Sequence, residues 1–185
     1  PSVHYHLGVC LGHTGDLDGS VTYLRRATQL DPLSGEYLAG LGKALGLSGD
    51  AEAAVHALEA SLRLKPNDAQ ALHALGQNRK SLGRLNEAID AYTRAAAIEP
   101  DDAAIQNSLA VAYVEQGAHA AAHDVFVRLV EQHPKSVGYR VNLAVALLNL
   151  GRFNEALAAC QEAARAAPRD ARVYAVAGSV YETAG

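Results

Sequence analysis

Four groups of residues in this chain are of types that could do chemistry. The stretch GLGKALG, residues 40–46, is glycine-rich around Lys43, the composition of a loop that wraps phosphate with backbone N–H groups. His4 and His6 form an H-x-H pair, His119 and His123 stand four apart, and Cys10 and Cys160 are the two cysteines. None of these groups completes a reacting set. A phosphate loop follows a strand and ends in Lys before Ser or Thr, whereas Lys43 precedes Ala44 inside a helical pattern. His4 and His6 point to different sides of a helix and read as surface residues. His119 and His123 share one helix face and are a candidate pair for a metal, but zinc wants three or four ligands and nothing in the sequence completes them. The Ser, His and Asp residues fall into no nucleophile elbow or triad order. No catalytic residue, cofactor or metal is therefore expected. The cysteines lie too far apart in an extended array to bridge, and both read as small buried hydrophobes.

Composition narrows the partners. The net charge is −4, and Lys and Arg against Asp and Glu never differ by more than two in any consecutive block of 34 residues. No basic stripe is present of the kind that phosphate backbones require, so nucleic acid is not an expected partner. No apolar run approaches ~18 residues, so no membrane span is expected. A secretory signal is not visible either, and a cytoplasmic location is the expectation. The absence of a starting Met and the stop in mid-pattern suggest a fragment of a longer chain.

The elements that would position any site follow from a period. Prolines recur every 34 residues at 32, 66, 100, 134 and 168. Small residues keep step at Gly8, Gly42, Gly76, Ala110, Ala144 and Gly178, at Ser20, Ala54, Ala88, Ala122 and Ala156, and glycines at 15, 49, 83, 117, 151 and 185. Between these markers apolar residues follow a 3.6-residue period, which predicts helices. Residues Leu72, Leu75 and Gly76 define one face, and Leu85, Ala88, Ile89, Tyr92, Ala95 and Ile98 another. Gly83 ends the first helix and Pro100 the second. Each block is thus two helices of about 14 residues that must stack on their neighbours to bury both faces. The expected organisation is one array with repeats 1–34, 35–68, 69–102, 103–136 and 137–170, then a half repeat of one helix, 171–185. Gly40, Gly42 and Gly46 predict that 35–48 is the softest of the first helices, since each loses up to ~1 kcal/mol relative to Ala. Leu129, in a slot otherwise Ala27, Ser61, Ala95 and Ala163, predicts a local widening.

These residues resemble the tetratricopeptide repeat (TPR). Leu7-Gly8, Leu41-Gly42 and Leu75-Gly76 match its L-G pair, Tyr113 and Tyr181 its Tyr, and Tyr92 and Phe126 the aromatic after Ala. The Trp slot holds His4, Leu38, Leu72, Gln106, Arg140 and Tyr174 instead. The resemblance implies an all-α, right-handed superhelical solenoid of antiparallel hairpins, with a concave face made by the first helices. It also implies a non-catalytic protein-interaction module that binds a peptide or partner helix in that groove. Two other readings stand beside it: the targeting array of a larger enzyme such as a glycosyltransferase, and a self-assembling scaffold.

The family's groove positions carry over to Tyr5, His6, Val9, Lys43, Leu47, His73, Gln77 and Lys80 in the first three repeats. Later repeats contribute Asn107, Ser108, Val111, Val114, Val141, Asn142, Val145, Leu148, Asn149, Arg172 and Val176. Only Asn142 and Arg172 match the carboxylate clamp of the chaperone-binding members, so that mode is not expected. The partner's apolar residues are expected over Val111, Val114, Val141, Val145 and Leu148, with its backbone on Asn107, Asn142 and Asn149. Its acidic residues are expected near Lys43, Lys80 and His73, where Gly40 and Ala74 leave room. The last helix offers Val173, Val176, Ala177 and Val180 with little charge, which predicts weak self-association through uncapped ends. His119 and His123 occupy slots that are apolar in the other repeats, and charging them there costs desolvation, so repeat four is expected to weaken in acid.

Overall fold

The computed structural model describes residues 1–184; Gly185, expected to close the last first helix, lies outside the described residues. The chain is all-α and falls into two compact units, Pro1–Pro100 and Asp101–Gly185. The first unit contains α1 (Ser2–Thr14), α2 (Leu17–Leu30), α3 (Gly35–Leu47), α4 (Ala51–Leu64), α5 (Ala69–Ser81) and α6 (Leu85–Ile98). The second contains α7 (Ala103–Gln116), α8 (His119–Gln132), α9 (Val137–Asn149), α10 (Phe153–Ala166) and α11 (Ala171–Ala184). Within each unit consecutive helices pair as hairpins and the hairpins stack, which makes this a helical-repeat solenoid. No described helix is long and apolar enough to cross a membrane.

Local chemistry sets the helix ends. Gly15 and Gly117 cap α1 and α7 in the left-handed region, at φ 89° and 85°, where a side chain would be strained. Asp16, Ser34, Asp50, Asp68, Asp102 and Ser136 each accept a backbone N–H at the start of the next helix, worth about 1 kcal/mol apiece. Helices α6, α8 and α10 start without such a side-chain bond, at Arg84, Ala118 and Arg152. The two arginines reach other partners: Arg84 Nη2 pairs with Glu52 at 2.7 Å, tying the α6 start to α4.

The core is a repeated close approach. A methyl added to Gly8 would lie 2.7 Å from Leu24 Cγ, on Gly42 2.6 Å from Leu58 Cγ, and on Gly76 2.5 Å from Tyr92 Cε1. Leu24, Leu58 and Tyr92 stand at the same place in their repeats and are fully buried. In the second unit the pairs become Ala110 with Phe126 and Ala144 with Cys160, each within one buried cluster. The first helix is small where the second is large.

Gly40, Gly42 and Gly46 of α3 have the same explanation. A methyl on Gly40 would lie 2.7 Å from the Tyr5 ring, one on Gly42 would meet Leu58, and one on Gly46 would lie 2.6 Å from the Asn78 amide, so each makes room for a neighbour. Leu129 is absorbed into the α7–α8 core at 1% exposure, against Ala110, Ala122 and Phe126. Cys160 is buried, but Cys10 is exposed, contrary to expectation. Its slot is apolar for packing on a preceding helix pair, and no helix covers that face of α1.

These contacts separate two kinds of glycine. Gly76→Ala drives a methyl into the Tyr92 ring and is expected to destabilise the chain by about 1–3 kcal/mol. Gly178, on α11, has nothing within 4 Å, so Gly178→Ala is expected to stabilise by up to ~1 kcal/mol. Urea denaturation followed by circular dichroism checks both; shifts of the same sign would contradict the packing account.

Candidate functional site

In the first unit, α1, α3 and α5 present a shared face with two clefts. One, of about 430 Å³, lies between α1 and α3 over Tyr5, Val9, Leu24, Ala39 and Ala44. The other, of about 390 Å³, lies between α3 and α5 and is lined by Lys43, Gly46, Leu47, Gln70, His73, Ala74, Gln77, Asn78 and Ser81. Lys43 and Leu47 belong to both, because they stand one helical turn apart on α3 between the clefts. Leu47 is 69% exposed, an unusual state for a leucine flanked by two concavities. Lys43 is exposed as well and makes no ion pair among the described residues.

The structure thus brings Lys43, Leu47, His73 and Gln77 together. The His73 ring lies 5.7 Å from that of Tyr92, so packing on α6 orients it. Lys80 is half-buried and does not line the cleft. The room expected at Gly40 is filled by Tyr5, whose ring stacks 5.0 Å from Tyr37. Burial pushes the Tyr5 phenol above its usual value, and the neighbouring Glu36 carboxylate pushes it further.

Sequence reasoning missed Asn78. It is 8% exposed, and its Nδ2 donates to the Ala74 carbonyl at 2.8 Å. That leaves its Oδ1, resting against Gly46, as an acceptor with no donor among the described residues. The signal was present: the other repeats hold Cys10, Ala44, Ala112, Ala146 and Val180 in that slot.

In the second unit the aliphatic candidates are largely taken up by packing. Val141 is buried at 6% exposure with Ala144, Cys160 and Val173. Val111 and Val114 pack on the Phe126 cluster, and Leu148 on Leu147, Ala156 and Val180. Val145 is half-buried and Asn149 exposed. Asn142 Nδ2 donates to Asn107 Oδ1 at 3.0 Å, so these amides form a rung between α7 and α9.

The histidine pair sits in two environments. His119 Nδ1 is buried with no partner. His123 stands not in an apolar slot but in a polar chain: Nδ1 lies 3.0 Å from Asp124 Oδ1, and Nε2 3.0 Å from Arg152 Nη1. Arg152 also grips Glu155 through two bonds of 2.7 and 2.6 Å, so the chain links α8 to α10. No group of three or more His, Cys, Asp or Glu side chains among the described residues is placed to hold a metal.

Three models of the tetratricopeptide repeat match successive stretches of the chain, residues 11–69, 76–117 and 113–179. No curated protein gives a significant match. Solved structures do. The protein MamA is 23% identical over 92% of this chain and 93% of its own, with a TM-score of 0.81. A tetratricopeptide repeat protein from Parabacteroides merdae is 19% identical over 100% of this chain and 73% of its own, at 0.87. YrrB, titled a TPR protein with an unusual peptide-binding site, is 18% identical over 92% of this chain and 88% of its own, at 0.81. At such identities the likeness carries the fold.

The polar chain at α8 and α10 yields a pH test. The Glu155 carboxyl is held below its usual range, first by the hydrogen bonds from Arg152 and then by the charges of Arg152 and His123. A carboxylate with a lowered folded value stabilises above its unfolded value and loses that contribution as pH falls through the folded one. Glu155→Gln is therefore expected to lower the melting temperature at pH 7 and to make little difference at pH 3, below the ordinary value of ~4.3. An equal loss at both would contradict the linkage.

Proposed function

We propose that this chain, which belongs to the tetratricopeptide repeat family, is a non-catalytic module that binds a peptide or partner helix on the face made by the first helices of its hairpins. Family membership makes it a protein-interaction module. The groove is the finer reading. The observation that carries it is the placement of both first-unit clefts on α1, α3 and α5, around an exposed leucine and an unpaired lysine. The unusual peptide-binding site described for YrrB adds support by analogy. Extended peptides suit such a face because amides bond to any backbone while the aliphatic floor supplies affinity.

In the second unit the same reading assigns the partner's backbone to Asn107, Asn142 and Asn149, and an apolar residue to half-buried Val145. Asn142→Ala combined with Val145→Asp is expected to weaken capture of displayed random peptides at least tenfold with the helical signal unchanged. Unchanged capture would remove the second unit from the groove.

A second reading, weak self-association, is favoured by apolar exposure on α1 and α11, though not at Val173 and Val180, which are buried against α9 and α10. Val3 and Leu7 on α1 are 76% and 40% exposed, and Tyr174 and Tyr181 on α11 are 54% and 64% exposed. Gly178 lies between those tyrosines, open in the slot where Gly8, Gly42 and Gly76 each receive a large side chain. Light scattering over a concentration series is expected to show a rising mass that Tyr181→Glu abolishes. A constant monomer mass would rule this reading out.

A further inference from the structure

Resting on the groove reading, the geometry points to a specific ligand class for the first unit: we propose that the α3–α5 cleft anchors an extended peptide carrying an acidic residue next to an aliphatic one. Each part of the cleft asks for a different part of such a segment. Lys43 is an exposed cation without an ion pair, in a chain whose net charge is −4, so its charge is not spent inside the protein. Glu36 and Asp68 line the α1–α3 cleft but no carboxylate lines the α3–α5 cleft, so a ligand carboxylate complements Lys43 on the α5 side. Leu47, one turn further along α3, is 69% exposed and offers an aliphatic side chain a surface already flanked by Ala74. Covering that side chain with an aliphatic residue of the ligand removes apolar area from water on both sides.

Asn78 gives the independent indication. Its side chain is nine-tenths buried and fixed by the bond to Ala74, yet its Oδ1 remains an open acceptor in the wall of the cleft. No described residue donates to that oxygen and it is not sealed from solvent, so the N–H of an extended segment can take the place of water there. Gly46 belongs to the same arrangement, since any larger residue there would displace the Asn78 amide. Gln77, exposed on the same wall, adds a side-chain amide that bonds either backbone group. Acidic and aliphatic neighbours on one strand-like segment would then reach Lys43 and Leu47 while the backbone meets Asn78.

The test uses the whole chain and a phage-displayed library of random peptides about twelve residues long, enough to span both clefts at ~3.3 Å per residue. Selection on the wild type is expected to enrich Asp or Glu beside Leu or Ile. Lys43→Glu should exchange that acid for Lys or Arg, and should weaken the wild-type peptides about tenfold. Leu47→Ala, at an exposed position that leaves folding intact, should weaken them by a similar factor. An identical consensus from wild type and Lys43→Glu would overturn the proposal. Peptides that Asn142→Ala with Val145→Asp loses, but Lys43→Glu and Leu47→Ala retain, would also overturn it while leaving the groove reading in place. A library that enriches no peptide at all would sink both.

Discussion

Everything in this molecule depends on one steric constraint: two helix backbones approach closely only where one side is nearly bare. Gly76 under the Tyr92 ring states it most sharply, with 2.5 Å between the ring and a methyl that is not there. Gly8 under Leu24 and Gly42 under Leu58 repeat it, and in the second unit Ala110 meets Phe126. Interiors packed at this density carry strain poorly, so each hairpin holds its two helices at a fixed spacing. Because the second helix covers one side of the first, the opposite side of the first helix is left for other work. In the first unit the two clefts open beside α1, α3 and α5, one of them reaching Ser20 and Leu24 of α2.

Packing also accounts for residues whose types suggested chemistry. The glycines at 40, 42 and 46 receive Tyr5, Leu58 and Asn78, so a glycine-rich stretch is explained by packing alone. His123 has both ring nitrogens occupied by Asp124 and Arg152, which turns a candidate ligand into a strut between α8 and α10. Arg84, bound to Glu52, serves similarly between α6 and α4. Several other polar side chains fasten neighbouring helices to each other, among them Arg79 to Glu59 and Arg140 to Glu162. Lys43 makes no such bond and lines the clefts instead.

The period was legible because its signals are backbone requirements. Glycine at a left-handed helix end and proline two residues past a helix end are written in single letters, and the helices lie where those letters put them. The site was legible only in part, for a physical reason. Groove positions can be counted along a helix, which puts Lys43, His73 and Gln77 around one cleft. Whether a valine at such a position is available depends on the neighbouring helices: Val141 is consumed by Cys160 and Val173, and no periodicity announces that. Asn78 was the reverse case, a polar residue in an alanine-like row that stood out in the letters but drew its meaning from Gly46 across the helix interface. Cys10 was misjudged because its burial depends on a helix pair packed against α1.

The central claim is that partners meet the first helices, with the second helices serving as their backing. The most direct measurement is an amide chemical-shift map of the isotope-labelled chain titrated with a peptide selected on it. The account predicts that shifts in the first unit gather on α1, α3 and α5 and are largest around Lys43, Leu47 and Asn78. Shifts gathered instead on α2, α4 and α6, with those three residues unmoved, would contradict it.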